Sequence, residues 1–197
     1  MVAYYNENNP EAAEWLRGLI SAGLIAPGDV DERSICDVNP EDVMGYEQRH
    51  WFAGIGGWSL ALRIAGIPDS FRIDTGSCPC QPWSVIGEGR GASDSRHLWP
   101  ELLRLVIQCK APVVIGEQVA SSDGRWWLSG VRSDLEALGY AVGCADLCSA
   151  GVGSPCARQR LYWGGGGSIE HLRHSFDTGL EGHSGDGNPG KIGRAHV

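Results

Sequence analysis

The stretch H-W-F-A-G-I-G-G-W-S-L-A-L-R-I-A-G, residues 50–66, most constrains the fold. A short apolar run meets clustered glycines, and an amphipathic helix pattern follows with Trp58, Leu60, Ala61, Leu62, Ile64 and Ala65. Strand, glycine turn and helix in that order bring backbone N–H groups close to a nucleotide-like ligand. The spacing is not G-x-G-x-x-G, so it fits a dinucleotide fingerprint poorly. A tight turn that simply needs glycine is the plainer alternative.

The surrounding pattern repeats this alternation. Residues 2–6 read as a strand. A helix follows from Pro10, with Asn9 as its N-cap. P-G-D at 27–29 reads as a turn, 30–38 as holding a short strand, and 39–43 as a helical turn. Further strands are expected near 71–75, 111–119, 140–148 and 158–164, and helices over 98–109 and 126–138. Together they predict an α/β fold: a doubly wound, mostly parallel sheet with helices on both faces and a ligand site beyond the carboxyl ends of the strands. After Trp163 the chain turns glycine-rich and poor in apolar residues. The sequence thus predicts one domain over 1–163 and a disordered tail over 164–197.

Composition limits the rest. At 197 residues and 42% hydrophobic content, one domain can bury a real core. No apolar run approaches the ~20 residues of a membrane span, and the N-terminus lacks a secretion-signal pattern. The expected location is the cytosol. The seven cysteines are irregularly spaced, with no C-x-x-C pair, so neither a metal site nor a disulfide framework is expected. A net charge of −8 argues against this chain gripping nucleic acid alone.

S-C-P-C-Q-P-W-S, residues 77–84, cannot be helical, because each proline fixes its own φ and restrains its predecessor. A thiol on such a rigid loop, just after a strand, suits nucleophilic catalysis. Packing of a buried cysteine is the ordinary alternative.

Taken together, the motifs resemble those of DNA (cytosine-5) methyltransferases of phage or restriction–modification type. F-A-G-I-G-G (Phe52, Ala53, Gly54, Ile55, Gly56, Gly57) is similar to the family's cofactor motif, and Pro79-Cys80-Gln81 to its catalytic Pro-Cys-Gln. Glu117-Gln118-Val119 resembles its Glu-Asn-Val, and the block from Gly151 to Arg160 resembles its Gly-Val-Pro-Gln-x-Arg-x-Arg. The four matches follow the family's order. The resemblance implies S-adenosyl-L-methionine as cofactor and double-stranded DNA, with a flipped cytosine, as partner. It implies Cys80 as nucleophile on C6 of the base, Glu117 at N3 and the exocyclic amine, Arg160 at O2 and Arg158 in support. Gln81, Ser84, Gln118 and Val119 would line the substrate side. Pro79 and Leu98 would help to hold the cofactor. An inactive cofactor-binding fragment, RNA methylation by a related enzyme, and a thiol redox protein are the competing readings; the missing C-x-x-C disfavours the last.

The interval between Gly57 and Cys80 is too short for the two strand–helix units the family places there. V-A-Y-Y-N-E-N-N-P-E-A-A at the N-terminus resembles the missing ribose-binding segment, with Glu7 as ligand. V-D-E-R-S-I-C-D-V would supply the adenine segment, with Ser34-Ile35 or Asp29-Val30 in the family's Asp-Ile place. A permuted order is therefore expected, the second and third sheet strands being encoded before the first. An unrelated helical extension over 1–45 is the alternative. The family's target-recognition region and closing helix have no counterpart here, so a chain truncated before them is expected. The last six residues, I-G-R-A-H-V, resemble a translated sequencing adapter and are expected to be non-native.

Overall fold

The computed structural model describes residues 2–79 and 98–167. Seven strands form one sheet: β1 (Ala3–Asn6), β2 (Gly28–Asp31), β3 (Gln48–Trp51), β4 (Ile73–Gly76), β5 (Val113–Val119), β6 (Ala141–Cys148) and β7 (Gln159–Gly166). Their spatial order is β2-β1-β3-β4-β5-β7-β6. The first five are mutually parallel, and β7 runs antiparallel between β5 and β6. The strands encoded first thus lie on the far side of β3, which precedes the glycine turn. The N-terminal segment is sheet, not an unrelated helical extension, and the expected permutation is present.

Among the described residues five helices connect the strands: α1 (Pro10–Ser21), α2 (Pro40–Val43), α3 (Gly57–Ile64), α4 (Trp99–Cys109) and α5 (Ser122–Ala137). Helix α1 starts as its sequence dictates, with Asn9 Oδ1 accepting from the Glu11 and Ala12 amides at 3.0 Å and Pro10 at the first position. Helix α5 begins earlier than expected, because Ser121 caps it through the Gly124 amide at 3.0 Å.

Alternation along β1 divides the core in two. Tyr4 joins Trp51, Leu102, Val114 and Trp163 on the face covered by α2, α4 and α5. There Trp99, Trp127 and Trp163 meet edge to face, with centroids 5.7–6.2 Å apart. Tyr5 joins Leu16, Ile25 and Ala53 on the α1 face. Helix α3 lies on that same face, since Ser59 Oγ is 2.9 Å from the Tyr5 hydroxyl.

That placement has a topological consequence. The crossovers β1–α1–β2 and β3–α3–β4 share a face but step in opposite directions along the sheet, so they have opposite hands. The passages from β2 to β3 and from β4 to β5 run over the other face, and both match the hand of β1–α1–β2. Parallel crossovers share one hand in about 98% of cases. Reordering the segments left β3–α3–β4 as the exception.

Two boundaries differ from expectation. Gly28 and Asp29 belong to β2 rather than to a turn. Gly28 is needed because a Cβ there would lie 1.9 Å from the Ala3 carbonyl oxygen. Strand β7 runs through Gly164–Gly166, three residues past Trp163, held by backbone pairing to β5 and β6.

Among the described residues, no helix lies on the α1 face beyond α3, over β5, β7 and β6. There an apolar groove of about 540 Å³ opens between α3 and the sheet, lined by residues including Leu62, Phe71, Ile73, Ile115 and Gly164. No helix among the described residues is long and apolar enough to cross a membrane.

Candidate functional site

The register places the site. Asn6 pairs with both Asp31 and Trp51, Trp51 with Gly76, and Gly76 with Gly116. The carboxyl ends of five parallel strands therefore share one rim. Glu7, Phe52, Ser77 and Glu117 are the next residues out.

On the β1–β3 side the rim is a carboxylate and a glycine turn in direct contact. Glu7 Oε2 accepts the Gly54 amide at 2.7 Å, and Oε1 accepts the Asn9 amide at 2.9 Å. The turn is anchored by the Ala53 amide on the Asn6 carbonyl at 2.9 Å. It needs left-handed backbone at Phe52 (φ +53), Gly54 (φ +55) and Gly56 (φ +80). A Cβ on Gly56 would press Leu16, Leu19 and Ile25, whereas one on Gly54 would meet nothing closer than 4.0 Å. So Gly56 serves packing, and Gly54 faces open space. Ile55 is exposed, and Gly57 opens α3.

The adenine-side candidates separate. Ser34 Oγ caps a 3₁₀ turn at Ile35–Asp37, accepting the Cys36 amide at 3.3 Å. The Ile35 side chain is buried in the main core. Asp29 lies within β2 and accepts from the Tyr46 hydroxyl at 2.7 Å. Asp31, which was not among the sequence candidates, ends β2 beside Glu7: its carbonyl accepts the Glu7 amide at 3.0 Å, while its carboxylate takes bonds from Arg33 and the Tyr4 hydroxyl. Burial raises the Asp31 pKa, but bonds from Arg33 and the Tyr4 hydroxyl outweigh it and hold the group below its ordinary value.

On the β4–β5–β7 side, Glu117 and Arg160 meet. Arg160 lies opposite Val119 in the antiparallel pair, so it shares a face with Glu117 two residues away. Its Nε stands 2.5 Å from Glu117 Oε1, with both side chains largely buried. Nε has no aligned hydrogen bond, so the contact is an ion pair. Gln118 points to the other face. It is buried, and its Nε2 donates to the Cys78 carbonyl at 3.3 Å, tying β5 to the segment leading to Pro79. Val119 ends β5. Arg158 is exposed on the loop before β7, its backbone bracketing Ser149. Leu98 caps α4 and packs against the main core.

Pro79 is exposed, the last described residue before the gap. Cys80, Gln81 and Ser84 lie outside the described residues. Cys78 is buried in the core, and burial pushes its thiol well up, so it stays protonated. Among the described residues no cluster of His, Cys, Asp or Glu could hold a metal ion.

The sequence profile of C-5 cytosine-specific DNA methylases matches residues 62–172, more than half of the chain. The chain belongs to this family. Among curated relatives, this chain is 32% identical to the type II methyltransferase M.AplI of Arthrospira platensis over 147 residues, 56% of this chain and 43% of that protein. It is 26% identical to M.HhaI of Haemophilus parahaemolyticus over 166 residues, 64% of this chain and 50% of that protein. The chain therefore spans about half the length of these relatives. Its fold is that of a Spodoptera frugiperda DNMT2 mutant, with a TM-score of 0.56 and 16% identity over 86% of this chain and 43% of that one.

Proposed function

We propose that this chain is the cofactor-binding and catalytic part of a DNA cytosine-5 methyltransferase. The observation that carries the reading is the pairing of two sites on one rim: Glu7 against the Gly54 turn, and Glu117 against Arg160.

The cofactor is S-adenosyl-L-methionine, which when bound supplies an electrophilic methyl group. The residues present fit it. Gly54 leaves open space beside a left-handed turn, and Glu7 offers carboxylate oxygens for a ribose diol. Asp31 adds a second carboxylate on the next strand, suited to an exocyclic amine.

Cytosine C5 is too weak a nucleophile to take a methyl group unaided. The Cys80 thiolate adds to C6, pushing electron density onto C5, which then accepts the methyl group. Loss of the C5 proton to a base expels the thiolate and restores the ring. Glu117 hydrogen-bonds N3 and the exocyclic amine as charge develops there, and Arg160 holds O2. Their ion pair keeps both side chains at the rim before a base arrives. The reacting carbon is inaccessible within a duplex, so the cytosine must leave the stack.

The test uses a duplex carrying 5-fluorocytosine, where the fluorine blocks the final loss and traps the adduct. The expected result is a covalent protein–DNA species that needs cofactor, and its absence in Cys80→Ser. An adduct formed equally by Cys80→Ser overturns the nucleophile assignment. Glu7→Ala is expected to weaken cofactor binding about tenfold in calorimetry, the loss of a charged hydrogen bond.

A further inference from the structure

The two edges of the sheet are finished differently. At one edge β2 has four residues, carries Asp29 and Asp31, and is followed at once by Glu32 and Arg33. Shortness and charge are devices that keep a sheet edge from pairing further. At the other edge β6 has eight residues, A-V-G-C-A-D-L-C, and pairs on one side with β7. Among the described residues its outer side pairs with no strand. It holds no proline, lysine or arginine, and six of its residues are exposed. Its one charge, Asp146, is taken up by Arg125 of α5 in the same chain. Gly143 and Ala145 add little bulk.

We propose that the outer edge of β6 pairs with the same edge of a second copy of this chain, the two strands antiparallel about a two-fold axis. A second copy offers what this edge needs: a strand of equal length, the matching row of amides and carbonyls, and no unpaired charge to repel it.

Symmetry restricts the register. A two-fold axis normal to the sheet keeps each face on its own side, so each residue opposes one of the same parity, and one residue opposes itself. Two registers pair nearly the whole strand, one centred on Cys144 and the other on Ala145. Centring on Ala145 puts each Asp146 one residue from the axis, with the two on a diagonal of about 7–8 Å. Centring on Cys144 puts each two residues from the axis, about 14 Å apart along the strands, so like charges select this register. It sets Gly143 opposite Ala145 and Ala141 opposite Leu147. It also brings the two exposed Cys144 residues to a Cα separation of about 4.5–5.5 Å, within reach of a disulfide.

The full chain is run in sedimentation velocity under reducing conditions at about 5 and 500 μM, spanning the ~10–100 μM dissociation constant expected of so small an interface. The mass should rise from 21.1 kDa towards twice that value. Cys144→Lys sets two like charges face to face on the axis and should weaken the dimer at least about tenfold. Leu147→Lys is the second blocking variant should the first unfold. Cys144→Ser, and Ile107→Lys at an exposed site on α4, should dimerise as the wild type does. Urea midpoints check that each variant is folded. Diamide, which takes two electrons and two protons from a pair of thiols, should then link the wild-type dimer through Cys144, as read by non-reducing peptide mapping. A wild type that stays monomeric at the higher concentration means that another part of the chain covers the edge, and overturns the proposal. So does a dimer that survives the blocking variants, or a cross-link that forms through Cys36 or Cys156 and spares Cys144. None of these results bears on the methyltransferase reading, which calorimetry with S-adenosylhomocysteine tests on the same sample.

Discussion

The two halves of the sheet are built by different rules. In β1, β3 and β4 every residue is buried, although each strand has only four. Polar side chains there are paired inside the protein: Arg49 with Asp74, His50 with Thr75 and Gln48, Tyr5 with Ser59. In β6 most of the eight residues are exposed, and the glycines of β7 leave an apolar groove open on one face. The cofactor-side half is finished, covered on both faces and specified by buried polar contacts. Among the described residues, the β5–β7–β6 half carries Glu117 and Arg160 but has helices on one face only. The Glu117–Arg160 pair therefore forms without a second described layer beneath it.

The sharpest way to break this contrast is to strike the buried ion pair. Asp74 accepts from Arg49 Nε at 2.7 Å and from Trp51 Nε1 at 3.2 Å, and both charged side chains are fully buried. Asp74→Asn leaves the Arg49 charge unpaired. The expected cost is about 3–5 kcal/mol, read as a shift in the urea midpoint at constant slope. A smaller loss would mean that water reaches this half of the sheet. Leucine 102 and isoleucine 115 compare the two faces more directly. Leu102, on the inner face of α4, is fully buried, and Leu102→Ala is expected to cost about 2–5 kcal/mol. Ile115 lines the open groove and stays partly exposed, and Ile115→Ala is expected to cost about 1–2 kcal/mol, less than Leu102→Ala, because less of its surface leaves water. Equal losses would show the groove to be covered in solution.

Acid gives a gentler probe of the finished half. His50 is buried, stacked 4.9 Å from the Tyr5 ring, and burial lowers its pKa from 6.5 to about 3. Between those values the unfolded chain binds a proton that the folded one refuses. Stability is therefore fully present above pH 6.5 and falls as the pH drops, by about 1.4 kcal/mol per unit. Urea unfolding at pH 7, 6 and 5 should show this slope in the wild type and a weaker one in His50→Gln. Parallel slopes would place a proton on His50 in the folded state.

Much of this was legible in the chain. The strand, Asn-Glu and helix at the N-terminus pointed to Glu7, and the sheet order followed from an interval too short for two units. What stayed hidden depended on partners distant in sequence. Asp31 was missed because V-D-E-R offers no local mark of where a four-residue strand ends; its pairing with Asn6 decides that. Gly28 looked like a turn glycine but serves close approach to Ala3. Gly164–Gly166 looked like tail because they have no side chains to pack, yet β5 and β6 hold their backbone. Ser121–Gly124 fell outside the helix expected over 126–138, although Gly124 is there to clear the Val119 carbonyl, which a Cβ would approach to 2.0 Å. The hydrogen bond from Trp58 to Ser77 appears only once the strands are side by side.

The reversed crossover yields the smallest expected effect and a direct test of whether chain order matters to the finished half. Residues 2–45 can be moved to follow Gly66, so that α3 leads into β1 and the α2 end leads into β4. Both joins are short. Arg63 Nη1, at the end of α3, already reaches the Gly23 carbonyl at 2.8 Å beside the start of β2, and β4 begins opposite Gln48, which closely follows α2. This order removes the odd-handed β3–α3–β4 step, and every side-chain contact at the rim survives. The rewired chain is expected to bind S-adenosylhomocysteine within about threefold of the natural one, because the site's contacts are identical. Its unfolding midpoint should stay within about 1 kcal/mol, since loop closure costs change slowly with length. A rewired chain that folds but loses cofactor binding would mean that the natural order strains the Gly54 turn into its binding shape, and the odd crossover would then be part of the site.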